Sequence, residues 1–357
     1  MLILFYKYFN SYLNFITYLP YRAILSLLTS FCINLYFGSY FIYYMKKIQN
    51  YQIIRTNGPK THYLKKKTPT MGGLFIITSI IISTIMYCDL YNIYVWYVIS
   101  ILLGYGCIGF IDDYKKIKYK NSKGLSLISK YFLLSVFALS LIFIIQSNNK
   151  NIFYTELIIP FYKNKTFEIN YIYIFLSYLA IVGTSNAVNL TDGLDGLAIM
   201  PVIFLTCGFL LISFFSENIS SSSCLNVSYI KYSSELVILC SSIIGSGLGF
   251  LWFNSYPAKI FMGDVGSLSL GGCLGTIAIL LHQELLLIIM GGIFVFETIS
   301  VILQILSFKI RKKRIFKMSP IHHHYEIKGL PEPVIIVRFW IAALILLLIS
   351  LISLKVR

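Results

Sequence analysis

Residues 90–116 read LYNIYVWYVISILLGYGCIGFIDDYKK. The 22 positions from Leu90 to Ile111 carry no charge, and the run then ends in Asp112-Asp113-Tyr114-Lys115-Lys116. At about 1.5 Å per residue such a run crosses a hydrocarbon layer of about 30 Å as a helix. A surface helix of that length in a soluble domain would need a polar face, and this stretch has none. The reading is therefore a membrane helix that ends in a knot of opposite charges.

The same pattern repeats in both directions. Charge-free runs occupy 23–45, 68–88, 131–149, 169–191, 196–216, 236–258, 265–283 and 339–354, and a further run, 285–308, is interrupted only by Glu297. Of 357 residues, 57% are hydrophobic and only 12% charged, about half the charged share of ordinary globular chains. The expected fold class is an all-α membrane protein, a polytopic bundle of about ten transmembrane helices. Residues 1–357 read as a single membrane domain, with 1–21, broken by Pro20, as an interfacial helix. The seven cysteines form no Cys-x-x-Cys pair and read as small apolar fillers.

A net charge of +16 would suggest nucleic acid in a soluble chain. In a membrane chain the basic residues must first be assigned to a side, and no nucleic-acid partner is expected. With ten crossings, 22 of the 30 Lys and Arg residues fall on one side, in the stretches 46–67, 115–130, 259 and 309–338. The positive-inside rule makes that side cytoplasmic and both termini periplasmic. Asp112, Asp113, Asp192, Asp195 and Asp264 also lie in or at the mouths of these cytoplasmic loops. Carboxylates at the ends of apolar helices are costly to desolvate unless they bind something, so a site built from several loops is expected there.

Five segments carry chemistry, each with a plainer reading beside it. Asp112-Asp113 next to lysines suits a hard cation or base chemistry on phosphate, and also suits a polar helix end. In Asn189-Leu190-Thr191-Asp192-Gly193-Leu194-Asp195-Gly196 the two aspartates stand three apart and would share a face of one helical turn. The same run could be a capped turn. Asp264, within Phe261-Met262-Gly263-Asp264-Val265-Gly266-Ser267, lies at a helix start, where a carboxylate can hold a metal that bridges to phosphate or simply cap the helix. Lys65-Lys66-Lys67 followed by Pro69-Thr70-Met71-Gly72-Gly73 reads as a phosphate-attracting start or as an ordinary one. Consecutive histidines His322-His323-His324 cannot chelate one ion together from a helix, and no Cys/His spacing supports zinc; an extended or turning loop would present one or two of them to a substrate, and the plainer reading is a solvated His-rich loop. Glu297, inside an apolar run, reads as a hydrogen-bonded structural acid; a secondary transporter would use it as a proton relay. Acids gathered on one side rather than at the midplane speak against that transporter class.

Taken in order, Thr68-Pro69-Thr70-Met71-Gly72-Gly73, Ile111-Asp112-Asp113-Tyr114, the segments Asn186–Gly196 and Phe261–Ser267, and Pro320-Ile321-His322-His323-His324-Tyr325-Glu326 with Lys328-Gly329-Leu330-Pro331-Glu332-Pro333 resemble the phospho-N-acetylmuramoyl-pentapeptide-transferases over nearly the whole chain. The resemblance implies a Mg2+-dependent transferase of the bacterial inner membrane, multi-pass, with its active site on the cytoplasmic side. Its partners would be UDP-N-acetylmuramoyl-pentapeptide, undecaprenyl phosphate and membrane lipid, and its product the first lipid-linked intermediate of peptidoglycan. Monomer and homodimer both stay open. By the same resemblance Asp264 is the metal ligand, Asp112 the base acting on the lipid phosphate, and Asp113 their support. Lys65, Thr70 and Lys130 fall near phosphate. Asn189, Asp192, Asn254, Phe261 and Ser267 fall in the nucleoside region, with Phe261 stacking on uracil, and Asp195 and His322 join the substrate-binding set. His323 and His324 would contact the sugar phosphate or the diphosphate. A transferase of the same superfamily acting on another sugar, such as UDP-N-acetylglucosamine, is the nearer alternative.

Overall fold

In lipid an apolar segment satisfies its backbone polar groups internally by forming a helix, and the charge-free runs do so. The computed structural model describes residues 18–48, 51, 68–120, 124–148, 156–162, 166–168, 172–224 and 227–356. Lys65 and residues 1–17 lie outside the described residues. The helices are α1 (Leu19–Lys47), α2 (Gly73–Tyr87), α3 (Ile93–Lys118), α4 (Leu127–Asn148), α5 (Ile172–Tyr178), α6 (Thr184–Thr191), α7 (Ile199–Ser216), α8 (Ile219–Cys224), α9 (Ser234–Asn254), α10 (Gly263–Leu280), α11 (Glu284–Met290), α12 (Gly292–Arg311), α13 (Ile321–Ile327) and α14 (Glu332–Val356). A π-helical turn, Leu179–Gly183, joins α5 to α6 into one span. A small antiparallel hairpin pairs Glu156–Ile158 with Thr166–Glu168.

Among the described residues nine helical spans are long and apolar enough to cross a membrane, and α2, apolar but only 15 residues long, makes the tenth apolar helix. This is an all-α polytopic membrane protein. Two boundaries differ from the expectation. Pro20 stands in the first turn of α1 rather than breaking a segment before it, because proline's missing N–H is no loss there; Leu19–Tyr21 therefore belong to the first crossing. The run 285–308 splits at Gly291, which takes φ −86° and ψ 18°, off the helical path, so the crossing helix is α12 and α11 is a separate short turn of helix.

Two helices form the centre. The apolar windows of α9 and α10 are 83% and 89% buried, against 22–28% for α1, α4, α12 and α14 at the periphery. Cys88, Cys240 and Cys273 are buried as expected, whereas Cys32 and Cys107 lie on the outer surface, where a small apolar side chain suits lipid equally well. Interior hydroxyl and amide groups link the helices. The buried Asn34 amide donates to the Ser246 carbonyl at 2.7 Å and to its hydroxyl at 2.8 Å, tying α1 to α9, and Ser79 of α2 donates to the same hydroxyl at 2.8 Å.

Candidate active site

The C-terminus of α3, the N-terminus of α4, the C-termini of α6 and α9, and the N-termini of α2 and α10 come together at one end of the bundle, and glycine permits the closest approach. At Gly109 of α3 a Cβ would overlap the Asp264 carbonyl, so only glycine lets the start of α10 rest against α3 one turn before Asp112 and Asp113. Gly263 has φ +74°, and a Cβ there would reach Asp113 Oδ2 and Thr70 Oγ1. The Pro69–Gly73 segment is fixed to this start by three backbone bonds: Phe261 N to Pro69 O, Gly72 N to Phe261 O and Gly73 N to Met262 O, each 2.9 Å. These bonds hold Met71 at φ 69°, a conformation rare for a side-chain-bearing residue. Thr70 is thereby buried beside Gly263.

The three aspartates meet here. One carboxylate oxygen from each of Asp112, Asp113 and Asp264 lies within 4.8 Å of the others. Lys116 Nζ stands 2.6 Å from Asp112 Oδ2, 3.3 Å from Asp113 Oδ1 and 2.8 Å from Asp264 Oδ2. Lys130 Nζ reaches Asp264 Oδ2 at 2.5 Å and Asp112 Oδ2 at 3.7 Å. The remaining acceptors are also used: Asp112 Oδ1 accepts from Leu125 N at 2.6 Å, Asp113 Oδ2 from Val265 N at 3.3 Å, and Asp264 Oδ1 from Asn189 Nδ2 at 2.8 Å. Asn189 also donates to the Ser267 hydroxyl at 2.8 Å, which donates to Gly263 O at 2.9 Å. Three carboxylates facing two ammonium groups leave one formal negative charge. An all-oxygen carboxylate set fits a hard divalent cation such as Mg2+, which takes few protein ligands and keeps several waters.

The turn after α6 forms the next wall. Asp192 is half-buried, and burial together with the carboxylates of Asp264, Asp113 and Asp195 pushes its carboxyl up to about 8. Asp195 and Asn254 hold the backbone. Asp195 Oδ2 accepts from Ala258 N at 2.9 Å, and its own N donates to Glu332 Oε1 at 3.0 Å. Asn254 accepts from Gly196 N at 2.9 Å and donates to Ile260 O at 2.8 Å. Phe261 is half-buried between the Pro69 segment and α10.

The three histidines lie on α13 and face different ways. His322 is fully buried and pairs through Nδ1 with Glu297 Oε1 at 3.0 Å. His323 Nδ1 meets Glu326 Oε2 at 2.7 Å. His324 Nδ1 accepts from Lys317 N at 3.0 Å, and burial with the charges of Lys328 and Lys317 holds this imidazole below its ordinary value. Ile321 and Tyr325 of α13 face an apolar cavity of about 610 Å³ between α12 and α14, with Phe296, Phe339 and Arg338 also on its wall.

The geometry thus gathers Asp112, Asp113, Asp264, Lys130, Asn189, Ser267 and Thr70 around one point, with Asp192 facing it electrostatically. Asp195, Asn254 and His322 support the backbone and packing of adjacent segments. Lys116 is the member that sequence reading overlooked. Its positions four after Asp112 and three after Asp113 were the available signal, obscured because lysines at a helix end also satisfy the positive-inside pattern. Glu332 and Glu326 stand in the motifs that carry the resemblance, but nothing local in the sequence names Asp195 and His323 as their partners.

Comparison with known proteins adds three findings. A family model described as glycosyl transferase family 4 matches residues 95–282, which contain both aspartate motifs and the Asn189–Gly196 turn. A model described as phospho-N-acetylmuramoyl-pentapeptide-transferase signature 1 matches residues 65–77. The chain is 76% identical over 356 aligned residues, covering 100% of each chain, to phospho-N-acetylmuramoyl-pentapeptide-transferases of Buchnera aphidicola subsp. Acyrthosiphon pisum strains APS and 5A, and 75% identical to that of strain Tuc7.

Proposed function

The chain belongs to the phospho-N-acetylmuramoyl-pentapeptide-transferases of glycosyl transferase family 4, and from this we infer that it moves phospho-N-acetylmuramoyl-pentapeptide from its UDP carrier to undecaprenyl phosphate. The observation that carries the chemistry is the meeting of Asp112, Asp113 and Asp264, from two helices, within 4.8 Å. In the reaction an oxygen of the lipid phosphate bonds to the sugar-bearing phosphorus, and the bond from that phosphorus to UMP breaks. Two anions must approach, so alignment and neutralisation of their charge dominate the barrier. Lys116 and Lys130 supply positive charge beside the carboxylates. Asp112 is suited to take a proton from the lipid phosphate, whose second pKa near 6 makes that help modest at neutral pH. Asp264 would hold Mg2+ with Asp112 and Asp113 beside it, and the ion, when bound, supplies charge neutralisation on the diphosphate.

Phe261, Asn189, Asp192 and Ser267 offer a ring and polar groups for the uridine end of the donor, and Lys65 and Thr70 polar groups for phosphate. The histidines at 323 and 324 would face the sugar phosphate. The apolar cavity beside α13, with Arg338 on its wall, suits a polyprenyl chain lying in the bilayer. The protein works as one unit in the bacterial inner membrane, its carboxylate end toward the cytoplasm and its termini outside, on the strength of the 22 to 8 division of basic residues.

Purified protein given radiolabelled UDP-N-acetylmuramoyl-pentapeptide and undecaprenyl phosphate should release UMP and form labelled lipid only when Mg2+ is supplied. Equal turnover with UDP-N-acetylglucosamine would overturn the assigned donor, and turnover undiminished by chelator would overturn the metal.

A further inference from the structure

Glu297 is the one acid within α12 and is fully buried in the apolar part of the fold. Both of its oxygens are engaged by α13. Oε2 accepts from the Ile321 backbone N–H at 2.9 Å, and Oε1 lies 3.0 Å from His322 Nδ1. His322 is equally buried, and its other ring nitrogen, Nε2, has no hydrogen-bond partner among the described residues. That nitrogen is packed on the acidic turn: a Cβ added at Gly193, between Asp192 and Asp195, would collide with it. A chain of contacts therefore runs from the membrane-buried carboxylate through one imidazole to the wall of the carboxylate site.

Resting on the transferase reading above, we propose that Glu297 is a positioning residue for the reaction: it fixes His322 with the proton on Nδ1 and so turns the Nε2 lone pair toward the Asp192–Asp195 turn that meets the nucleotide-sugar donor. The partner of one ring nitrogen decides the tautomer. A carboxylate can only accept, so the shared proton sits on Nδ1. A protonated Nε2 in that buried contact would leave an unmet donor against Gly193, which is the costlier arrangement. The same carboxylate caps the start of α13, so tautomer and placement are set together. Glu297 acts through His322: both of its oxygens are held by α13, and the other ionisable groups of α12, Lys309 and Arg311, stand in its last turn.

The conservative variant Glu297→Gln separates this from mere packing. Glutamine keeps the volume and can still accept from Ile321, but its amide N–H faces Nδ1 and moves the imidazole proton to Nε2. The variant should raise the KM for the nucleotide-sugar donor about tenfold, the scale on which losing the partner that orients an imidazole is felt, with the KM for the lipid acceptor changed less than twofold. Nitrogen-15 NMR of histidine-labelled protein, with His322 assigned by difference against His322→Asn, should find the proton on Nδ1 in the wild type and on Nε2 in Glu297→Gln. Wild-type His322 carrying a proton on Nε2, or a Glu297→Gln enzyme with unaltered donor KM, overturns the proposal. If the wild type released no UMP at all, the transferase reading would fall, and the ring-nitrogen shifts would still decide the tautomer.

Discussion

Two charged constellations stand at opposite ends of the helix bundle. Where α1 and α9 begin and α2 ends, Arg22 and Glu235 form a bidentate pair at 2.9 and 3.2 Å; Arg22 also donates to Tyr87 O at 3.2 Å, and Glu235 accepts from Asp89 N at 2.7 Å. One cation meets one anion, both nearly dry, and of the pair's atoms Arg22 Nε alone has no partner among the described residues. At the other end three carboxylates meet two ammonium groups, and Lys116 stays about a quarter exposed. A closed, matched pair ties helices together and has nothing left to offer a ligand. A mismatched, partly open cluster keeps negative charge that a cation can meet, and cations that phosphate can meet.

The contrast breaks most visibly at Asp264. Asp264→Asn should lower UMP release by about 10³-fold or more, the scale of removing a central electrostatic element, while the protein still inserts and keeps its melting temperature within a few degrees. Near wild-type turnover would remove this residue from the reaction centre. Arg22→Ala should do the opposite. Leaving Glu235 buried and unpaired costs about 3–5 kcal/mol, read as a lowered melting temperature in detergent, with kcat/KM of the surviving folded enzyme unchanged. A variant that melts normally but turns over slowly would mean that the outer pair is part of the working machinery.

A smaller effect sharpens the comparison through pH. Asp192 is pushed from 3.8 to about 8, so between those values the folded protein holds a proton that the unfolded chain has released. Stability should therefore fall as pH rises through that window, and Asp192→Asn should flatten the decline. Melting temperatures of the two proteins from pH 5 to 8 that run parallel would show that burial and the neighbouring carboxylates do not hold Asp192 protonated in the folded protein.

Much of this was legible along the chain. The charge-free runs located the crossings to within a few residues, as 23–45 against Leu19–Lys47 and 236–258 against Ser234–Asn254 show. Gathering of the aspartates at one end followed from which runs they terminate. The break at Gly291 and the π-helical turn at Leu179–Gly183 were not legible, because composition on either side is equally apolar and only backbone geometry distinguishes them. Glu297 reads from its apolar surroundings as a hydrogen-bonded acid, but its partners Ile321 and His322 lie 24 and 25 residues away, and no local periodicity names them.

Hydropathy is a local, nearly additive property: each residue's cost in lipid depends mainly on itself, so the sequence alone determined that the chain folds as a bundle of apolar helices and roughly where those helices lie. Pairings depend on how each helix is rotated and how closely its neighbours approach. Asp264 meets Lys116 across 148 positions of chain, and Asp113 meets Val265 across 152, only because Gly109 lets α10 rest on α3. That choice of partners, and with it the surplus negative charge at the site, was decided by the tertiary structure, since short-range polar contacts exist only after packing has fixed distances to within an ångström.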